Sequence, residues 1–316
     1  MKVLAIIVNF RTPDLALDAV RALVPELEGL PARVIVVEND SGDGSYEKIE
    51  AGIAAADWGD RVELIASGRN GGFGFGNNVG MRRGFASGEL PEYVYLLNPD
   101  AKTDPGAVKA LIDAMDARPD AGIAGSYIHL MDGSPFVNAF NFHGVLSELE
   151  GNVRFGPLTK LLAGQSILVR PTPETTTEVD WVGGASMMMR RSMLDEIGLF
   201  DETFFLYFEE TELCLRAKKA GWKTLYVPES SVGHIGCAAT GAYDVEKRRP
   251  EYWFDSRRYY YEKHFGKVYT QFADAALVYG QLVWKLRRLV ERKPARDPAF
   301  FVRDFLTHKF GLPRRS

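Results

Sequence analysis

The residues best suited to chemistry lie in one run, Phe204-Phe205-Leu206-Tyr207-Phe208-Glu209-Glu210-Thr211-Glu212-Leu213-Cys214-Leu215-Arg216. Aromatic and apolar side chains lead straight into carboxylates. An ionised carboxylate beside such a wall is costly to desolvate unless something pairs with it or uses it. Partial desolvation also raises its pKa and makes it a better proton acceptor. The competing reading is structural: acidic residues favour the first turn of a helix through its dipole.

Three other stretches could serve the same chemistry. Asn98-Pro99-Asp100 follows an apolar run. An Asp there is commonly a turn former. Asp104, followed by Pro105, suits the next helix cap better, which leaves Asp100 as an oxygen ligand for Mg²⁺ or Mn²⁺ bridging phosphates. His234, in Val232-Gly233-His234-Ile235-Gly236, is either an ordinary core histidine or a neighbour of such an ion. Residues 69–80, Arg69-Asn70-Gly71-Gly72-Phe73-Gly74-Phe75-Gly76-Asn77-Asn78-Val79-Gly80, read as a glycine loop whose N–H groups can approach an anion. This is neither a dinucleotide fingerprint, because it does not follow the first strand, nor a Walker loop, because Gly-Lys-Ser/Thr is missing. A flexible turn is the alternative, against which Asn77-Asn78 argues for hydrogen bonding.

The elements that must hold these residues are an alternation of strands and helices. Val3 to Val8, Val34 to Val37, Val62 to Ala66 and Tyr93 to Leu97 are apolar runs of the kind buried in parallel sheets. Helical patterns lie between them; Thr12 and Pro13 suit one helix start. The pattern predicts an α/β layered fold with a mostly parallel, Rossmann-like sheet and helices on both faces. Ligands sit at the carboxyl ends of such strands, where Asn9, Arg11, Glu38, Asn39, Asn98 and Asp100 cluster. Residues 125–173 read as an irregular, substrate-covering excursion. Val179 to Met189 reads as a strand in which Gly183-Gly184 leaves room for a ligand. Ser192 and Asp195 resemble a capping box, and Tyr226-Val227-Pro228 a short strand.

The chain has 316 residues, 46% hydrophobic and 25% charged, as expected of a soluble globular protein. A net charge of −4 argues against nucleic acid as a partner. The charge is uneven: from Gln281 to Ser316 ten Lys or Arg face three acids, a local +7. Two cysteines, Cys214 and Cys237, give no disulfide framework. No apolar run reaches the length of a membrane span, and the N-terminus lacks a signal-peptide pattern. The expected location is cytoplasmic, peripheral on the inner face of the plasma membrane. From Tyr252 the chain turns aromatic and basic, with a helix that suits an anionic membrane surface, a docked position on the core or a homodimer interface.

Taken together these motifs resemble the family 2 inverting glycosyltransferases of the GT-A fold, in the bacterial branch similar to rhamnosyltransferases of cell-wall and O-antigen assembly. The resemblance runs through Ile7-Val8-Asn9-Phe10, Asn70-Gly71-Gly72, Gly76-Asn77-Asn78-Val79-Gly80, Leu96 to Asp100, Gly183-Gly184-Ala185, the block from Phe200 to Arg216, and His234. It implies a GT-A domain over 1–240 and a helical basic extension over 241–316. It implies Asp100 and His234 as ligands of Mg²⁺ or Mn²⁺, and Glu210 as general base, with Glu209 and Arg216 bracing it or orienting the acceptor. Asn9, Arg11, Glu38, Asn70, Gly71, Phe75, Asn78 and Asn98 would face the nucleotide or sugar; Asp180, Trp181, Gly183 and Gly184 would shape the acceptor side. The implied reaction moves L-rhamnose from dTDP-L-rhamnose, or another sugar from a UDP donor, to a glycan or polyprenyl-linked acceptor. The pattern departs from the family at Glu209-Glu210-Thr211-Glu212, where Glu-Asp-x-Asp is usual, and at Glu38, where Asp is usual. A sugar-phosphate nucleotidyltransferase would want a basic glycine loop after the first strand, which Asn9-Phe10-Arg11-Thr12-Pro13 is not. A non-catalytic carbohydrate-binding relative is the remaining alternative.

Overall fold

The computed structural model describes residues 1–236, 247–294 and 297–313. The predicted domain boundary at 240/241, Cys237, Arg296, Arg314 and Arg315 lie outside the described residues.

The strands are β1 (Val3–Asn9), β2 (Ala32–Glu38), β3 (Val62–Ala66), β4 (Tyr93–Leu97), β5 (Ala101–Thr103), β6 (Ala121–His129), β7 (Pro135–Phe136), β8 (Thr177–Val179), β9 (Ser186–Arg190) and β10 (Lys223–His234). The helices are α1 (Pro13–Glu26), α2 (Ser45–Ala55), α3 (Gly72–Phe85), α4 (Ala107–Ala117), α5 (Val145–Val153), α6 (Gly156–Leu161), α7 (Arg191–Ile197), α8 (Glu209–Lys219), α9 (Glu251–Glu291) and α10 (Phe301–Lys309). One sheet runs β3-β2-β1-β4-β9-β6-β10-β5. β1 to β4 are parallel, as their continuous apolar runs predict. β9 enters antiparallel between β4 and β6, and β5 and β8 pair antiparallel with β10.

Alternate residues of β1 feed two cores. Val3, Ala5 and Ile7 pack under α1, α2 and α4; Leu4, Ile6 and Val8 pack with side chains of α3, α7 and α8 on the other face. The helices therefore cover both faces, as expected. Beyond them, Phe204, Phe208 and Leu215 share a third cluster with Tyr260, Tyr261 and Ala273 of α9, and α10 closes a fourth around Phe254 and Leu277. α9 breaks at Gly266, whose φ of 81° and ψ of 167° interrupt the helix.

Several local expectations are corrected. The excursion predicted over 125–173 begins inside the sheet, because β6 continues to His129. The strand predicted over 179–189 is interrupted at 180–185, which leaves the sheet to form a bridge between Trp181 and Phe140. The short strand at 226–228 is part of the twelve-residue β10, which absorbs Pro228 at a register shift. The Thr12 hydroxyl does not cap α1; it donates to Asn9 Oδ1 at 3.3 Å. Asp104 accepts from Ser231 and lies 2.9 Å from His129 Nε2, while Gly106 occupies the cap of α4. Arg190, not Ser192, is the N-cap of α7.

The glycine stretch is likewise not a loop: α3 starts at Gly72 and runs through it. A Cβ at Gly76, Gly80 or Gly84 would come within 2.8 Å of Val8, Ile6 or Leu4. These glycines, one turn apart, let the helix backbone lie against β1. Gly72 has a further constraint: its φ is +88° and a Cβ would fall 1.7 Å from the Phe205 carbonyl oxygen.

Candidate active site

The aromatic-acidic run is held in an uncommon backbone. Tyr207 and Phe208 have φ of 72° and 70°, left-handed values that bulky residues rarely adopt. Such residues persist where surrounding contacts over-determine them, and they cluster at functional sites. Here the Phe205 carbonyl accepts from the Phe73 amide at 3.1 Å. Phe208 is packed among His143, Trp253 and Tyr260. The turn points the first residues of α8 inward.

Glu209 and Glu210 then share the N-terminal turn of α8. Glu209 is 1% exposed, and its Oε2 has no hydrogen-bond partner. Burial, then the charge of Glu210, hold its carboxyl well above the ordinary range. Glu210 is half-buried and is pushed up as well, by burial; the Gly184 amide, donating to Oε1 at 3.1 Å, works in the opposite direction. Neighbouring carboxylates of raised pKa cannot both ionise easily, so they titrate as a pair. The sequence predicts desolvated carboxylates beside the aromatic run, and both glutamates are raised by burial here.

Glu212 behaves differently. It is fully buried, yet its carboxyl is held below the ordinary range despite burial, because His264, Arg216 and Lys263 surround it. Arg216 Nε lies 2.9 Å and Lys263 Nζ 2.6 Å from it. Arg216 spends its other nitrogens on the carbonyls of Ile197 and Leu199, at 2.5 and 2.7 Å. It therefore ties α8 to the end of α7, and its guanidinium hydrogen-bonds neither Glu209 nor Glu210, contrary to the bracing role expected of it.

The second cluster lies at the ends of β4 and β10. His234 pairs with Ala101 in register, which brings its Nε2 to 3.0 Å from Asp100 Oδ1 and 3.4 Å from Asn98 Nδ2. Asp100 and His234 side chains are 8% and 12% exposed. One carboxylate oxygen and one imidazole nitrogen suit Mg²⁺ or Mn²⁺. The two atoms lie 3.0 Å apart, a hydrogen-bond distance, and both are donor types that could be offered to such an ion. Among the described residues no group of three or more His, Cys, Asp or Glu converges, so remaining ligands would come from water and phosphate.

Residues 183–185 join the two clusters. Gly184 N–H binds Glu210, and the Ala185 carbonyl accepts from the Asn98 amide at 3.0 Å. Gly183 N–H is held by Asn138 Oδ1 at 2.8 Å, a partner for which the sequence offered no signal. A Cβ on Gly184 would lie 2.7 Å from the Phe73 ring and 2.9 Å from Glu210 Oε1. Gly184→Ala is expected to displace the carboxylate and lower kcat roughly a hundredfold, the usual effect of a misplacement of about 1 Å. Steady-state kinetics beside a melting curve would check this; a Tm close to wild type with unchanged kcat would refute it.

The predicted donor-side residues divide. Asn9 is buried, with Oδ1 bound to Thr12 and Nδ2 unpartnered. Arg11 is exposed at φ 59°, its backbone amide and Nε bound to Ser41. Glu38 accepts from the amides of Asp40 and Ser41, which shapes the β2 loop. Asn70 accepts from the Gly72 amide and from Asn39 Nδ2, tying that loop to α3 beside Gly71. Phe75 is stacked beneath the Arg69 guanidinium. Asn78 is fully buried and exchanges bonds with the Phe200 backbone and Glu202, so its side chain holds α3 to the segment before α8. On the other side Asp180 accepts from the Phe142 amide and Lys218, and Trp181 stacks on Phe140 at 4.2 Å.

A family model described as glycosyltransferase like family 2 matches residues 2–258. The chain belongs to that family. It is 31% identical over 225 residues to the N-acetylglucosaminyl-diphospho-decaprenol L-rhamnosyltransferase of Mycobacterium tuberculosis, covering 67% of this chain and 69% of that one. It is 25% identical to the dTDP-rhamnosyl transferase RfbF of Shigella flexneri, covering 73% and 68%. The mannosyltransferase PcManGT of Pyrobaculum calidifontis, solved with GDP-Man and Mn²⁺, superposes with a TM-score of 0.55 at 14% identity, over 92% of this chain and 75% of its own. The fold is GT-A, and the chain is a glycosyltransferase.

Proposed function

We propose that this family 2 enzyme transfers L-rhamnose from dTDP-L-rhamnose, with inversion, to a hydroxyl of a lipid-linked glycan. The acceptor oxygen attacks the anomeric carbon as the bond from that carbon to the diphosphate oxygen breaks. Glu210 takes the hydroxyl proton. Glu209, its carboxyl also raised by burial, shares the pair's titration with it. The observation that carries this reading is the half-buried Glu210 carboxylate, fixed by Gly184 on the same strand of backbone that holds Asn98. Asp100 and His234 would hold a divalent ion, which supplies positive charge against the diphosphate leaving group. Asn9, Arg11, Glu38 and Asn70 line the donor end of the sheet, and Asp180 and Trp181 the acceptor side. Residues 1–240 would be the catalytic domain and 241–316 a helical basic extension. The donor assignment draws on the names of the Mycobacterium and Shigella relatives; a UDP-sugar is its competitor.

Thermal unfolding with dTDP, UDP or GDP, each with and without Mn²⁺ or Mg²⁺, tests the donor. A ligand at one hundred times its Kd stabilises the folded state by about 2.7 kcal/mol. A metal-dependent rise in Tm with dTDP, lost in Asp100→Asn, is expected. A rise with UDP alone would redirect the donor; no rise with any nucleotide would remove the donor-site assignment.

A further inference from the structure

The second half of α9 carries two apolar faces, and only one is used. Thr270, Ala273, Leu277 and Trp284 are buried against the body of the protein. On the opposite side Val268, Phe272, Ala275, Tyr279, Leu282, Leu286 and Leu289 recur with alternating spacings of four and three residues. Phe272, Tyr279, Leu282, Leu286, Leu289 and Val290 are each more than half exposed. At 100° per residue they fall, with Ala276 and Val283, in an arc of about 140° that contains no charged residue before Lys293. The stripe spans about 33 Å of helix. Exposed contiguous apolar surface of this size marks an interaction site.

We propose that this face lies flat on an anionic phospholipid bilayer. One observation selects the bilayer over a second copy of the chain. Lys267, Lys285, Arg292 and Lys293, all exposed, flank or terminate the stripe, and Glu291 is the acid near them. Anionic headgroups complement that edge, whereas a parallel copy would set cation against cation. Seven or more apolar side chains entering the headgroup boundary need no partner of matching shape. No helix among the described residues is long and apolar enough to cross a membrane, so the contact lies along the surface. The arrangement deepens the proposed function: α8, which carries Glu210, is tied to the first half of α9 through Glu212 and Lys263, linking the acceptor side of the site to the helix that would lie on the bilayer.

The test is flotation of the full chain with vesicles of phosphatidylcholine alone or with about 30% phosphatidylglycerol, at low and high salt, for wild type and Leu282→Glu/Leu286→Glu. The wild type is expected to bind the anionic vesicles at least tenfold better than neutral ones. The double variant should lose that binding tenfold or more while keeping its Tm and its nucleotide-induced shift. Equal binding by wild type and variant overturns the proposal. So does a wild type that ignores vesicles, and a dimer in light scattering that the variant dissociates would then assign the face to a second copy. The nucleotide shift reads the donor site separately, so failure of the membrane contact and failure of the proposed reaction are distinguishable.

Discussion

Glu210→Gln is expected to lower turnover about a thousandfold while donor binding, read by the nucleotide-induced shift in Tm, stays near wild type. A general base contributes about 10²–10⁴ in rate. The amide keeps an oxygen for the Gly184 N–H and takes no proton. The same substitution should make the protein more stable. Both glutamates have folded-state pKa values raised above 4.5, so their ionisation opposes folding. The native state's advantage is full below the unfolded carboxyl range and is lost as pH rises through the raised values. The gain in Tm for Glu210→Gln should therefore be largest near pH 8 and vanish near pH 4; each 1 kcal/mol relieved is worth about 2–4 °C. A wild-type kcat profile should also fall on its acidic side at a pH above the ordinary carboxylate range. Turnover near wild type would remove Glu210 from the base role, and a fall in Tm at pH 8 would contradict the burial argument.

Arg257→Ala is expected to cost about 3–5 kcal/mol. Arg257 is 1% exposed, with Nε 2.9 Å from Glu148 of α5 and Nη1 2.6 Å from Asp274 on the same helix α9. Tyr261 also donates to Glu148, and Lys309 of α10 binds Asp274. Removing the guanidinium leaves buried carboxylates short of their main cation, which is far costlier than replacing all the charges together. Urea unfolding should show a lower midpoint with an unchanged m-value. Adding Glu148→Gln should recover part of the loss, because one stranded charge is then gone. A midpoint within error of wild type would mean that the pairs contribute nothing net.

The parallel half of the sheet was legible because β1, β2, β3 and β4 are unbroken apolar runs. β6 was not, because the irregular excursion reads as starting at Gly125, in mid-strand; Gly122 and Gly125 are small since Met193 and Val182 would lie within 2.6 Å of any Cβ there. The glycines of α3 misled in the same way, although their four-residue spacing from Gly76 to Gly84 was itself a helical signal. In the site, chemical type was readable and contact was not. Asp100 and His234 could be paired through the family resemblance. Nothing local announced that Arg216 would serve backbone carbonyls and Glu212, or that Asn78 would clasp the Phe200 segment. Those partners are set by the docking of elements far apart in the chain.

Residues 184 and 185 have a consequence for tolerance. A proton acceptor and a leaving-group anchor are usually adjusted by separate parts of a protein, and independent errors add. Here the proposed proton acceptor Glu210 takes a bond from the Gly184 amide, and the adjacent Ala185 carbonyl accepts from the amide of Asn98, two residues before Asp100. A displacement of that dipeptide carries both ends in the same direction, so their spacing is conserved while their position drifts. Under the proposed mechanism, Glu210 and the turn bearing Asp100 would then keep their spacing across the reacting bond when that dipeptide shifts.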